Sequence, residues 1–339
     1  MLSVQVPEMS VLIVTPDNYQ TIRKTLWHLR AQTISDRLEI IVVAPSKERL
    51  GLVEREVAGF HRLSVVEVGE IKRMAEAKVA GLAIATASFI AFAEDHCYPE
   101  PEWAARLIVA HRKGWAAVGP TMCNANPRTM VSWAGLFLNF GCCLDNARAN
   151  ASRHLAWHNV SYRRELLLDY GSDLAAMLAV EGVLLDDLAA KGHGLYFEAA
   201  ARTSHVNISL FSSWIIHAFW GGRLFGATRA RKKGWSVWRR LIYICGGFLI
   251  PLIRLRRTIP KIYQTGRQHE LMPRILPAMF AGLIPHAFGE MIGYALGAGN
   301  AEQRYSFYEM KRTRHITEQD RQSMFETDFT STPNEVMSA

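Results

Sequence analysis

SVLIVTPDNYQTIRKTLWHLRAQTISDRLEIIVVAP, residues 10–45, is the stretch on which the fold class turns. Residues 10–16 are a β-branched apolar run ending at Pro16, and residues 38–44 are a second run ahead of Pro45. Ile22, Leu26 and Leu29 recur between them at helical spacing, so the order is strand, helix, strand. The pattern continues with RLSVVEV (62–68) as a third strand, KRMAEAKVAGLAIAT (72–86) as a second helix and SFIAFAE (88–94) as a fourth strand. Strands that are apolar from end to end and separated by helices predict an α/β domain with a mostly parallel sheet covered on both faces.

Further along, Trp103 to His111 reads as a helix and WAAVGPTM (115–122) as a strand. Between Met122 and Trp157 the periodicity weakens, with loops flanking the apolar piece SWAGLFLNFGCC (132–143). SYRRELLLDYG (161–171) and AMLAVEGVLLDDLAAKG (176–192) read as helices stopped by Gly171 and Gly192, and GLYFEAA (194–200) as the last strand.

In such sheets ligands sit beyond the carboxyl ends of the strands. The fourth strand ends in FAEDHCYPEP (92–101), which places Glu94, Asp95 and His96 at such an end. Two carboxylates and an imidazole on successive positions can bind a divalent cation, and in an extended chain the first and third point the same way. Glu94 and His96 are therefore the expected pair, which leaves Asp95 to bind sugar hydroxyls or to structure the loop. Plain solvated surface is the rival reading of the triplet. Cys97 beside it does not make a structural zinc site, which needs four close ligands.

After about Leu210 the character changes. Between Phe211 and Arg274 there are thirteen Lys or Arg against one acid, Glu270, within a chain of net charge +8. Tryptophans and phenylalanines alternate with these cations, and LIYICGGFLIPLI (241–253) carries no charge. Thirteen residues are too few to span a bilayer, which takes roughly 20 in a helix, so an interfacial segment is expected. Residues 275–299 are long enough to span but carry Glu290, His286, Pro277 and Pro285; a buried hairpin, a surface-lying helix and a functional span are the readings open to them. The apolar content favours a membrane surface over nucleic acid as the partner. Five cysteines without CxxC spacing predict reduced thiols in a cytosolic compartment. MLSVQVPEMS lacks the pattern of a signal peptide, and the polar stretch from Lys311, ending TDFTSTPNEVMSA, reads as a flexible tail.

The stretches at residues 10–46, 77–107, 158–171 and 180–206, in that order and at those spacings, resemble a family-2 glycosyltransferase of the GT-A fold over roughly residues 10–207. The resemblance implies a Rossmann-like mixed, mostly parallel sheet flanked by helices over residues 1–209. A basic, aromatic, membrane-associated helical region (210–310) and the tail (311–339) would follow. It also implies inverting transfer of a single sugar from a nucleotide diphosphate sugar to an acceptor hydroxyl; the composition after Leu210 adds the expectation of a lipid-linked or membrane-proximal acceptor on the cytoplasmic side of a membrane. Glu94 and His96 fall where the family holds Mn²⁺ or Mg²⁺ against the diphosphate, and His205 where a histidine approaches the metal or phosphates. Lys78 falls at a phosphate- or nucleotide-contacting position, and Pro16 and Asp17 on the loop bordering the nucleotide. Glu181 takes the place of the catalytic acid that removes the acceptor proton, with Asp187 as the alternative. Asn159 either contacts the acceptor or caps the following helix.

The departures are as informative. Ala44, Pro45 and Ser46 replace the usual acid pair at the nucleoside, leaving Ser46 or backbone as the contact. His96 in place of an aspartate favours Mn²⁺, since imidazole suits transition metals. The Gln-x-x-Arg-Trp signature of processive synthases is missing, which points to single-sugar transfer. A degenerate domain that binds a nucleotide or partner without turnover, and a membrane scaffold, are the rival readings.

Overall fold

A computed structural model of the chain describes residues 6–144, 148–152, 154–156 and 158–326. β1 (Met9–Val14), α1 (Tyr19–Arg30) and β2 (Leu38–Ala44) realise the opening stretch. The strands pair in parallel, Met9 beside Leu38, and every residue of both is buried. Asn18 caps α1, its side chain accepting from the Gln20 amide. Next come α2 (Lys47–Leu50), β3 (Arg62–Glu67), α3 (Met74–Leu82) and β4 (Phe89–Ala93), then β5 (Cys97–Pro99), α4 (Trp103–Arg112) and β6 (Ala117–Asn124). After α5 (Met130–Phe140) and β7 (Asn150–Ser152) come β8 (Ser161–Arg163), α6 (Arg164–Leu168), α7 (Leu174–Leu178), α8 (Glu181–Ala190) and β9 (Leu195–His205).

The sheet order is β3-β2-β1-β4-β8-β6-β9-β5, with β7 on β9. β1 to β4 are mutually parallel, as are β6 and β9, while β8, β5 and β7 run antiparallel to their neighbours. The mixed, mostly parallel α/β sheet expected from the sequence is thus present. Two local expectations differ. SYRRELLLDYG opens as β8, because its first three residues fill the gap between β4 and β6. The helix expected over 176–192 is broken after α7, and α8 starts at Glu181.

Residues 210–310 are helical, as expected: α9 (Phe211–Lys232), α10 (Val237–Cys245), α11 (Ile250–Gln264), α12 (Gln268–Leu271), α13 (Leu276–Leu296) and α14 (Ala301–Met310). They do not form a separate body. Trp214, Leu224, Met279 and Met310 pack in one core cluster with Leu12, Phe92 and Tyr162 of the sheet. α9 and α13 cross in backbone contact at glycines. A Cβ at Gly222 would lie 2.0 Å from the His286 carbonyl oxygen, and one at Gly289 2.1 Å from that of Phe219. Within α13, Glu290 is buried, accepts from the Tyr294 hydroxyl at 2.8 Å and faces His286 at 3.1 Å. Residues 276–296 are therefore a helix packed within the protein. Among the described residues no helix is long and apolar enough to cross a membrane.

The tail expected from Lys311 is folded through Glu326. α15 (Glu318–Phe325) buries Met324, and with Ile316 it packs on Tyr98 and Val206. The buried Asp320 carboxylate supplies the reason: it accepts from Ser209 at 2.5 Å and Asn126 at 3.1 Å, docking a polar segment through paired groups rather than apolar area. The stretch TDFTSTPNEVMSA, residues 327–339, lies outside the described residues.

Gly289→Val tests the helix crossing. The added side chain meets backbone rather than a yielding side chain, so stability should fall by about 3 kcal/mol, read as a lowered midpoint in urea denaturation.

Candidate active site

β4 carries the chain to Glu94, the turn at Asp95 and His96 closes with the Cys97 amide donating to the Glu94 carbonyl, and β5 runs back against β9. That pairing sets Cys97 opposite His205. On the other side Asn159, in the left-handed region at φ 60°, turns the chain into β8. The Glu94 carboxylate is thereby enclosed. Its Oε2 accepts from Asn159 Nδ2 at 2.7 Å, with His205 Nε2 at 3.3 Å and Cys97 Sγ at 3.5 Å. Its Oε1 has no hydrogen bond and faces His158 Nδ1, itself unbonded, at 3.5 Å. Burial alone would raise the Glu94 pKa, but His158, His205 and His96 outweigh it and hold the carboxyl well below the usual range.

The imidazoles have assignable roles. His96 Nδ1 lies 2.7 Å from Asp95 Oδ1, which takes its proton, so Nε2 presents a lone pair; the Arg312 Nε–H donates to it at 3.2 Å. His205 Nδ1 lies 3.0 Å from Asn207 Oδ1. The Asn207 amide nitrogen is spent on Asn124 and on a carbonyl, so its oxygen accepts from His205 Nδ1 and His205 Nε2 is the atom turned toward Glu94. A proton on Nε2 or a metal cation between the two atoms satisfies both. Glu309 of α14 completes the cluster, bonded to His217 Nε2 and Arg312 Nη2, each at 2.6 Å. Burial opposes its ionisation, but Arg312 and His217 prevail and keep it well below the usual carboxylate range. Ligand atoms of Glu94, His96 and Glu309 lie within 4.8 Å of one another, as do those of Glu94, Cys97 and His205. Carboxylates with imidazoles, one carboxylate oxygen unpartnered, are a donor set that fits a divalent cation such as Mn²⁺.

Glu181 lies buried at the start of α8, where Lys78 Nζ donates to it at 2.5 Å and the Tyr162 hydroxyl at 3.0 Å. Lys78 also lines the small cleft over Glu94, Asp95 and His96, which joins the pair to the cluster. Glu181 and His158 open on the other side into a cavity walled by Trp214, Leu224, Phe225 and Leu283 among others. Residues of α3, α5, α7 and the start of α8, with His158, build it together with the C-terminal helices.

Several expected roles are placed differently. Asp187 is turned away from the site and is held by Tyr170 at 2.7 Å, Lys191 at 3.0 Å and Lys232 at 3.3 Å. Asn159 caps no helix; it fixes the Glu94 carboxylate. Asp95 orients His96, as outer carboxylates orient metal-binding imidazoles. Ser46 caps α2, accepting from the Arg49 amide. Pro16 and Asp17 do lie on the loop beyond β1, and Asp17 is paired with Lys311. Glu309, Lys311, Arg312, His158 and His217 were not singled out in the sequence. The Glu-x-x-Arg spacing of Glu309 and Arg312, followed by His315, was the available signal.

Residues 10–171 match the family model described as glycosyl transferase family 2. No curated protein matches the sequence. Among solved structures the chain is similar to GalNAc-T7 crystallised with UDP, GalNAc and Mn²⁺, at 14% identity and a TM-score of 0.45, over 59% of this chain and 44% of that one. It is also similar to residues 1–349 of TarS from S. aureus, at 12% identity and a TM-score of 0.45, over 91% of each chain. The chain thus spans less than half the length of the first and most of the second.

Two substitutions test the cluster. Asn159→Ala removes a hydrogen bond to a buried carboxylate and should lower stability by about 2 kcal/mol, whereas Asn159→Asp should be worse because it sets two carboxylates together. Burial, then the charges of Glu94 and Asp17, push Asp95 well above its usual value. An acid raised in the folded state adds stability that is full below its unfolded pKa and lost as pH rises through the folded one. In metal-free protein Asp95→Asn should therefore melt higher than the parent at neutral pH. The gain should vanish as the pH approaches about 4, near the unfolded value.

Proposed function

We propose, from the match of residues 10–171 to the glycosyl transferase family 2 model, that the protein transfers a single sugar from a nucleotide diphosphate sugar to an acceptor hydroxyl, with inversion. The reading rests chiefly on one observation: the buried Glu94 carboxylate, ringed by His96, His158 and His205 at the carboxyl end of β4, lies one side chain from the Lys78–Glu181 pair. In a GT-A sheet the donor would lie beyond β1 and β4, with Pro16, Asp17 and Ser46 along the nucleoside and Lys78 toward the phosphates. A divalent cation, Mn²⁺ or Mg²⁺, held by Glu94 and His96 with His205 and Glu309 in reach, would supply Lewis-acid neutralisation of the departing diphosphate.

The acceptor occupies the cavity between the helices flanking the sheet and the C-terminal helices, where its hydroxyl meets Glu181. Lys78 pairs with that carboxylate, the group placed to take the acceptor proton. When Lys78 turns to the arriving phosphates, one Glu181 oxygen is freed. The acceptor oxygen then attacks the anomeric carbon in line, the bond from that carbon to the diphosphate oxygen breaks, and the hydroxyl proton passes to Glu181. The walls favour an acceptor with an apolar body, which supports a lipid-linked substrate over a bare sugar. Residues 1–209 carry donor and base, and residues 210–310 complete the acceptor pocket.

Donor turnover with Mn²⁺ across a panel of nucleotide sugars tests this. Glu181→Gln should lower the rate by roughly 10²–10⁴-fold, and Glu94→Ala should abolish both the Mn²⁺ dependence and turnover. Equal rates for parent and both variants would instead favour a nucleotide-binding module without catalysis.

A further inference from the structure

α10 and α11 form a helical pair that the rest of the protein leaves uncovered on one side. No residue of α10 is buried. Val237, Trp238, Leu241 and Ile242 recur at positions i, i+1, i+4 and i+5, which is one face of a helix, and Trp238 is 78% and Ile242 69% exposed. Phe248 and Leu249 continue the apolar surface across the turn. On α11 the same spacing gives Leu252 and Ile253, then Arg256 and Arg257, all exposed. Ile284 and Phe288 of α13, against which both helices pack, extend the patch. Scattered surface apolar residues need no explanation, but a contiguous patch on a helical pair does.

Charge decides what covers it. Lys233, Arg239, Arg256 and Arg257 border the patch, all exposed, and among the described residues none of them is in an ion pair. A second copy of the chain, joined through the same face, would bring these cations against their own kind. A nucleic acid would answer the charge but not the aliphatic centre. Neither helix is long and apolar enough to cross a bilayer. We infer that α10 and α11 lie in the plane of an anionic membrane surface, with Trp238, Ile242, Phe248 and Leu252 among the head groups and acyl boundary and the arginines paired with lipid phosphates. The inference stands on this surface alone. Joined to the sugar-transfer reading it has a consequence: Arg254 of α11 and His286 of α13 wall the acceptor cavity, so the helices facing the bilayer also bound the pocket.

Flotation of the full chain with large unilamellar vesicles tests the assignment. The parent should float with vesicles enriched in phosphatidylglycerol, more weakly with pure phosphatidylcholine, and less as salt rises. The paired substitution Trp238→Glu with Ile242→Glu should cut partitioning on both vesicle types by at least about tenfold. Arg256→Glu with Arg257→Glu should cut it by roughly 30-fold or more on the anionic vesicles and leave neutral ones unchanged. All four side chains are exposed, so both variants should melt as the parent does. Failure of the parent to float, or flotation of both variants at the parent's level, would overturn the inference. So would a parent dimer that Trp238→Glu with Ile242→Glu splits, or a parent that binds a single-stranded oligonucleotide but no vesicle. These outcomes do not involve donor turnover and so leave the catalytic reading separately testable.

Discussion

An ionised carboxylate is tolerated inside a protein only where its charge is answered, and the Glu94 side chain organises the surrounding structure for that reason. Four elements converge on it: the end of β4 that carries it, β5 with Cys97, β9 with His205, and the chain before β8 with His158 and Asn159. The imidazoles then need partners of their own, which recruits Asp95, Asn207 and Arg312. Arg312 is in turn answered by Glu309, and Glu309 by His217. A single buried charge thus propagates a paired network from the sheet into the C-terminal helices.

This network explains why the C-terminal third is integral to the site. Its residues close the cleft over Glu94 and supply one wall of the cavity that Glu181 enters. The glycine-lined crossing of α9 and α13 brings their backbones into contact beside that wall. The face of these helices turned away from the cavity is the one left apolar and cationic, so a single layer of helices separates pocket from surface.

Much of this was legible in the chain. The strand-helix-strand order, the parallel sheet and the placement of Glu94 and His96 at a carboxyl strand end follow from period and length, while Lys78, Glu181 and His205 came from the resemblance to family-2 glycosyltransferases. Asp187 was misplaced because six residues along a helix turn it well away from the face of Glu181. Lys311 onward read as tail because a segment docked by Asp320 and Arg312 shows no apolar periodicity, which is the only local mark of burial.

By itself the sequence determined strands β1 to β4, β6 and β9, the strand-end acids and the contrast between an α/β part and a basic aromatic helical part. These are local properties of neighbouring residues. Tertiary structure alone decided that Glu309 and Arg312 belong to the site, that Asn159 holds a carboxylate rather than an acceptor, and which faces of α10 and α11 stay bare. Those facts depend on pairings between residues as far apart as His96 and Arg312, and no periodicity along the chain encodes which distant charge a buried group will find.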